Sequence, residues 1–176
     1  MGGNVDNIFF DRTQLKYCGE DVIIGKTVRI RKPEEVSIGD GTIIDDFTYI
    51  SCGMTIGKHC HIASNVSISG SKAHLHMGDY STISNHCSIH CVSSDYRKIS
   101  LDLPSVPEEE RFGGEFGDIH IGNNVVVGAH STILPNVEIQ DYVAFGAYSL
   151  IKDRDYIKGY LYVGIPAKMV CKREEI

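Results

Sequence analysis

The sequence of 176 residues contains no apolar run that approaches the length of a membrane-spanning helix. Its first residues, MGGNVDNIFFDRTQ, lack a basic start followed by an apolar segment, so we expect no signal peptide and a cytoplasmic location. Basic residues are also scarce, since 17 Lys and Arg stand against 23 Asp and Glu and give a formal net charge of −6. This acidic balance argues against nucleic acid and against an anionic membrane as partners.

The six cysteines show neither a CxxC motif nor an even disulfide framework. Cys60 and Cys87 fall at repeat positions where other repeats carry Val or Ser, which predicts that both are small core residues. The other four follow no spacing typical of a metal site. We therefore expect free thiols, no bound metal and a reducing cytoplasm.

Between Ile121 and Ile151 the apolar residues recur at a strict step of six. The six anchors are Ile121, Val127, Ile133, Ile139, Phe145 and Ile151. Four residues after each of the first five stands a small or β-branched residue. A period of six fits neither the helical 3.6 nor the strand period of two. It is typical of a parallel β-helix, in which three short strands form one triangular coil.

The same step continues upstream, with an insertion near Lys32 and a second slip near Ala73. The upstream anchors are Ile24, Ile30, Ile38, Ile44, Ile50, Ile56, Ile62, Ile68, Met77, Ile83 and Ile89. No single hexad can bury its apolar face alone. Stacked coils of about eighteen residues therefore give one continuous column of aliphatic side chains.

These patterns predict an all-β protein, a single-stranded parallel β-helix with one long excursion loop and a short C-terminal tail. Residues 1–20 are interpreted as an N-terminal cap, with a helix over DRTQLKY. Residues 21–151 form the hexapeptide β-helix domain, and residues 152–176 form the tail. Residues 93–118 break the period with prolines, a glutamate run and Gly-Gly. Because a regular repeat has no structural need for such a loop, we interpret the loop as functional.

The string IGNNVVVGAHSTILPNVEI…FGAYSLI…VGIPAK resembles the C-terminal half of left-handed β-helix acyltransferases that use acyl-CoA. VSIGDGTIIDDFTYIS, SSDY and LPSVPEEER are together similar to the sugar N-acetyltransferases acting on nucleotide-linked 3-amino-3,6-dideoxyhexoses. The resemblance implies a left-handed coil, a homotrimer, acetyl-CoA or another acyl-CoA as co-substrate and a nucleotide-linked sugar as acceptor. It also implies a role in surface polysaccharide synthesis.

Two Gly-Ala corners, Gly128-Ala129 and Gly146-Ala147, lie one coil apart, and their backbone amides suit the amide groups of a pantetheine arm. By resemblance, Ala129 and Ala147 match backbone contacts to CoA, while Lys152 and Lys168 match positions near its phosphates. The plainer interpretation of the two glycines is that hexapeptide turns favour Gly. The plainer interpretation of Lys168 is that it is a solvated lysine in the tail.

Many hexapeptide acetyltransferases carry a histidine base at the mouth of the excursion loop, where this sequence has Ser94. His90 and Asp95 are the candidate catalytic residues here, because both are expected beside the loop and a histidine titrates near working pH. His86, Ser94 and Tyr96 are candidate substrate-binding residues. The alternative is that these histidines lie on the surface or at a trimer interface and have no catalytic role. Asp95 can instead hold a neutral amine, with the proton leaving to water.

Three other functions compete with N-acyl transfer. The first is O-acetylation of a sugar hydroxyl. The second is a metal protein like the γ-class carbonic anhydrases, with ligands drawn from the histidine-rich stretch at His74, His76, His86 and His90. The third is a scaffold without chemistry, which the loop and tail disfavour.

Overall fold

A computed structural model describes residues 11–70, 72–152 and 155–174. Within these residues the helical segments are three short 3₁₀ turns, at Arg12–Gln14, Pro33–Glu35 and Glu108–Glu110. None of the helices in this part of the chain is long and apolar enough to cross a membrane. The helix expected over DRTQLKY is reduced to the first of these turns, because the backbone is already extended at Leu15 and a strand begins at Tyr17.

Parallel strands form the three faces of a prism, which we name A, B and C in chain order. Within the described residues, face A contains Tyr17–Cys18, Val36–Ile38, Gly53–Ile56, His74–Met77, Ile119–Ile121, Glu138–Ile139 and Asp155–Tyr156. Face B contains Ile23–Ile24, Ile43–Ile44, His61–Ile62, Thr82–Ile83, Val126–Val127, Ala144–Phe145 and Tyr160–Val163. Face C contains Arg29–Ile30, Tyr49–Ile50, Ser67–Ser69, Ser88–His90, Thr132–Ile133 and Leu150–Ile151. Lys168–Lys172 adds an antiparallel strand to face B.

The predicted core is confirmed, since every anchor of the hexad pattern is buried in one continuous column. Strands on the same face pair residue for residue, so that Ile50 lies against Ile68 and Ile133 against Ile151. Cys60 and Cys87 are buried as expected. Fully burying an aliphatic side chain of this size contributes about 1.5–3 kcal/mol, so the column dominates the stability of the fold.

Buried hydroxyls between the anchors are satisfied by the neighbouring coil. Thr42 Oγ1 donates to Gly57 O at 2.9 Å and accepts from Cys60 N at 3.0 Å. Ser81 Oγ bonds Gly122 O and Val125 N in the same way. Because each hydroxyl links two successive coils, a small polar residue at this core position lowers the stability of the fold only a little.

The excursion loop leaves and re-enters through a short antiparallel hairpin, Val92–Ser94 with Gly114–Phe116. Gly117 N donates to Cys91 O at 3.0 Å and closes the base of the loop. Parallel pairing resumes at Ile119–Ile121, which lies on His74–Met77. The loop therefore inserts between face C of one coil and face A of the next.

Parallel pairing continues beyond Ile151, where the hexad pattern ends. Asp155–Tyr156 pairs with Glu138–Ile139, and Tyr160–Val163 pairs with Ala144–Phe145. Tyr156 and Tyr162 fill the core in place of aliphatic residues, and their rings pack edge to face at 4.9 Å. The sequence pattern missed these strands because it counted aliphatic anchors.

Candidate active site

The two Gly-Ala corners stack directly on each other at the edge between faces B and C. Gly128 N donates to Phe145 O at 2.9 Å, and Tyr148 N donates to Ala129 O at 2.9 Å. A β-carbon on Gly128 would lie 2.5 Å from Ala147 N. The backbones of the two corners therefore approach each other closely. The small side chains of Ala129 and Ala147 line this edge, and the first is half-buried whereas the second is exposed.

Gly128→Ala lowers the free energy of unfolding by roughly 1–3 kcal/mol, because the added carbon meets backbone that cannot move aside cheaply. Gly146→Ala is the matched control. Its added carbon meets mainly Val163 Cγ1, a side-chain atom at 2.8 Å, and we expect a loss below about 1 kcal/mol. Urea denaturation of the two variants checks the difference. Equal losses would mean that the corner at Gly128 relaxes freely.

The upper end of this edge is covered by the turn that precedes Lys168. Leu150 N donates to Gly164 O at 2.9 Å, and Ala167 N donates to Leu150 O at 2.8 Å. The exposed Lys168 thus begins its strand beside the stacked corners. Lys152, also exposed, follows the last strand of face C and lies across that face from the edge.

The lower end of the edge carries two residues that the sequence analysis did not assign. Ser84 and Asn85 occupy the corner below Gly128 and Ala129, and Asn85 O accepts from His130 N at 3.0 Å. His86 is exposed at the same corner, where its ring stacks on that of His130 at 4.8 Å. Counting coils across the excursion loop, rather than along the chain, would have aligned Asn85 with Ala129.

His90 ends the face C strand that leads into the excursion loop, and its side chain is half-buried. Its Nδ1 lies 3.0 Å from Ser69 Oγ in the preceding coil. Burial lowers the pKa of His90 below its usual value, because the charged imidazolium loses hydration. The ring is consequently neutral at pH 7, the form that accepts a proton.

Asp95 lies beyond the first strand of the hairpin and is held by the loop itself. Arg97 Nε lies 2.9 Å from Asp95 Oδ1, and Lys98 Nζ lies 3.3 Å from Oδ2. The hydrogen bonds from Arg97 hold the pKa of Asp95 far below its usual value, so the carboxylate is anionic. No hydrogen bond or ion pair joins it to His90 within the part of the chain that the structure describes. Tyr96, next to it, is exposed.

A cavity of about 530 Å³ separates face C from the excursion loop. Arg31, Lys32 and Tyr49 line it from the early coils, and Ser69, the partner of His90, lies in the same wall. Arg111 holds the loop wall by donating to Val106 O and Pro104 O at 2.6 and 2.8 Å. The repeat pattern does not predict this cavity, because the two walls of the cavity lie far apart in the chain.

The histidines of the sequence-based metal hypothesis do not come together. His74 and His76 lie on face A, His86 lies at the edge between faces B and C, and His90 ends a strand of face C. One histidine-rich stretch is therefore spread over three parts of the prism. The grouping of these four residues was wrong, because neighbours in the repeat belong to different faces.

Comparison with known proteins agrees with the repeat and the fold. The model of the family "Bacterial transferase hexapeptide (six repeats)" matches residues 35–70 and 118–153. The dTDP-4-amino-4,6-dideoxy-D-glucose acyltransferase of Escherichia coli is 33% identical over 174 residues, covering 97% of this chain and 89% of that protein.

Solved structures of AntD, an N-acyltransferase from Bacillus cereus, have the same architecture. Its complex with dTDP and 3-hydroxybutyryl-CoA superposes with a TM-score of 0.85 at 31% identity, covering 96% of this chain and 91% of that one. A serine-to-alanine variant in complex with dTDP-4-amino-4,6-dideoxyglucose and coenzyme A gives a TM-score of 0.86 at 30% identity, with 96% and 92% covered.

The coiled fold and the edge lined by small residues define a hexapeptide-repeat acyltransferase, and the predicted left-handed parallel β-helix is confirmed. Within that class, the chain belongs to the acyl-CoA-dependent sugar N-acyltransferases. Sugar substrates named for the relatives carry the amino group at carbon 4. The sequence resemblance implied sugars with the amino group at carbon 3, so the named relatives differ from that branch in the position of the amine.

Proposed function

We propose that this protein transfers the acyl group of an acyl-CoA to the amino group of dTDP-4-amino-4,6-dideoxyglucose. The observation that carries the proposal is that the stacked corners and the cavity under the loop flank the same face, face C, on which His90 lies. The near full-length similarity to acyltransferases of this sugar supports the choice of acceptor. A cytoplasmic homotrimer serving surface polysaccharide synthesis fits this chemistry.

On the donor side, the pantetheine arm runs along the edge between faces B and C. Ala129 and Ala147 let it approach the backbone, whose amide groups bond those of the arm. Lys168 lies beside the upper corner, where its charge suits a CoA phosphate. Lys152 provides a second positive charge for a phosphate from the other side of face C. The thioester then comes to rest beside Asn85, whose side-chain amide can donate to the carbonyl oxygen.

On the acceptor side, the cavity under the loop has the chemistry for a nucleoside diphosphate. Arg31 and Lys32 supply positive charge for the two phosphates, although Lys32 also pairs with Glu35 at 3.3 Å. Tyr49 offers an aromatic ring for stacking. The sugar amine then extends past Ser69 toward His90.

In the reaction, the amine nitrogen attacks the thioester carbon, a C–N bond forms and the C–S bond breaks. CoA leaves as the thiol after taking up a proton, and the amine loses one. His90 is suited to accept the amine proton through Nε2. Ser69 Oγ lies 3.4 Å from Ile89 O, so it can donate there and accept a hydrogen bond from His90 Nδ1–H. The anionic Asp95 holds the amine in place.

Incubating the purified protein with acetyl-CoA or 3-hydroxybutyryl-CoA and dTDP-4-amino-4,6-dideoxyglucose should release free thiol and give the N-acylated sugar by mass spectrometry. The 3-amino isomer tests the position of the amine, and dTDP-glucose, which has no amine, is the control. Acylation of dTDP-glucose at a similar rate would instead favour O-acetyl transfer. If none of these acceptors gives thiol release above background, the proposal is contradicted.

The solution mass should correspond to three chains, because the groove for an extended pantetheine arm forms between neighbouring prisms. Light scattering at the concentration of the assay measures it. A stable and fully active monomer would contradict the assembly, although it would leave the chemistry intact.

A further inference from the structure

A second cluster of functional groups lies on the outer side of face A. Strand His74–Met77 pairs in parallel with Ile119–Ile121, so that Leu75 lies against Ile119 and His76 against His120. Leu75 and Ile119 are buried in the core. Since side chains alternate along a strand, the residues before and after them point outward. His74, His76, Asp118 and His120 therefore form a square on the surface.

Three of these side chains are close enough to share one ion. One ligand atom from each of His76, Asp118 and His120 lies within 4.8 Å of the other two. The rings of His76 and His120 are parallel, with centroids 4.6 Å apart. Two imidazoles and a carboxylate form a donor set that zinc and other divalent transition metals prefer.

A backbone hydrogen bond orients the carboxylate of this cluster. His74 N donates to Asp118 Oδ1 at 2.7 Å and fixes the carboxylate beside the histidines.

The acyl-transfer site does not account for this cluster. Its stacked corners lie at the edge between faces B and C, and His90 lies on face C. The three groups also lie on opposite sides of the excursion loop, because His76 precedes the loop whereas Asp118 and His120 follow it. An ion bound there would fasten the coil before the loop to the coil after it.

We propose that His76, Asp118 and His120 bind one divalent transition-metal ion per chain, with zinc as the reference metal, and that this ion clasps the two coils that flank the excursion loop. Water or Glu138, which pairs with His120 in the next coil, completes the coordination. The site stabilises the fold and takes no part in the chemistry.

The test titrates EDTA-treated full-length protein with zinc chloride by calorimetry. A Cys171→Ser background removes the exposed thiol, which binds zinc by itself. We expect about one ion per chain, and His76→Gln or His120→Gln should weaken binding at least tenfold. His59→Gln, an exposed histidine at another edge, is the matched control and should bind like the parent. At zinc well above the Kd, the parent Tm should rise by about 5 °C or more, and that of His120→Gln should not.

Because the changed side chains lie on the surface, circular dichroism without zinc should be the same for the parent and the variants. Asp118→Asn gives a second, milder test, since the amide oxygen can still accept from His74 N while the ligand charge is lost. Absence of binding to the parent would overturn the proposal. Unchanged affinity in His120→Gln would overturn it too, by placing the ion among the other histidines. The readout is binding and Tm, so the result is independent of the acyltransferase assay.

Discussion

Ala147→Leu is expected to raise the KM for acyl-CoA about tenfold or more, while the Tm changes little. The reason is steric, because Ala147 is exposed at the edge along which we propose that the pantetheine arm lies, and a leucine side chain would occupy the space of the arm. A tenfold loss corresponds to about 1.4 kcal/mol, roughly one or two lost contacts with the arm. Steady-state kinetics at saturating sugar measure the KM for acyl-CoA, and a melting curve measures the Tm.

Lys58→Leu is the matched control for this variant. Lys58 occupies the equivalent position of a corner between faces A and B and is also exposed, so Lys58→Leu places a leucine at an edge outside the proposed path of CoA. Its KM for acyl-CoA should stay at the wild-type value. If Ala147→Leu lowers the Tm and leaves the KM unchanged, Ala147 is a packing residue and the donor groove lies at another edge.

The core could be predicted from the sequence because its rule is local. Each coil buries one anchor per face, so Ile24 and Ile151 obey the same spacing although they lie at opposite ends of the prism. The rule fails where the coil changes length. Between the anchors Ile68 and Met77 the step is nine residues instead of six, and there Ala73 is buried while Lys72 is exposed.

The candidate site could be predicted only in part, because it depends on coils that are neighbours in space and distant in the chain. The Gly-Ala corners belong to one uninterrupted run, so spacing alone aligned Ala129 with Ala147 at one edge. Asn85 joins them across the excursion loop. Tyr49 and Arg111 meet around one cavity only after the loop has folded back over face C, which no repeat spacing encodes.

His90→Ala is expected to lower kcat by roughly 10²–10⁴, the usual size of general-base catalysis. The KM for acyl-CoA should change little, since the proton moves only in the transition state. Burial lowers the pKa of His90, so the neutral base is present above that pKa and is lost as the pH falls through it. The acid limb of the wild-type profile should therefore lie below the usual histidine value of about 6.5.

His59→Ala is the control for the loss of a histidine, because His59 is exposed at the edge between faces A and B, where its ring stacks on that of Tyr80, away from the stacked corners. It should retain most of the activity and the acid limb. A His90→Ala enzyme with over half of the wild-type kcat and an unaltered limb would exclude His90 as the base.

Asp95→Asn separates positioning from proton transfer. The pKa of Asp95 is lowered far by Arg97, so this carboxylate holds a proton too weakly to serve as the base at neutral pH. It keeps its negative charge throughout the working range, which suits it to bind a sugar ammonium or amine. We therefore expect Asp95→Asn to raise the KM for the nucleotide sugar about tenfold, through loss of a charge-assisted hydrogen bond, with a smaller change in kcat. If kcat falls by 10² or more while that KM holds, Asp95 acts in the transition state, and its assignment to ground-state binding of the amine is wrong.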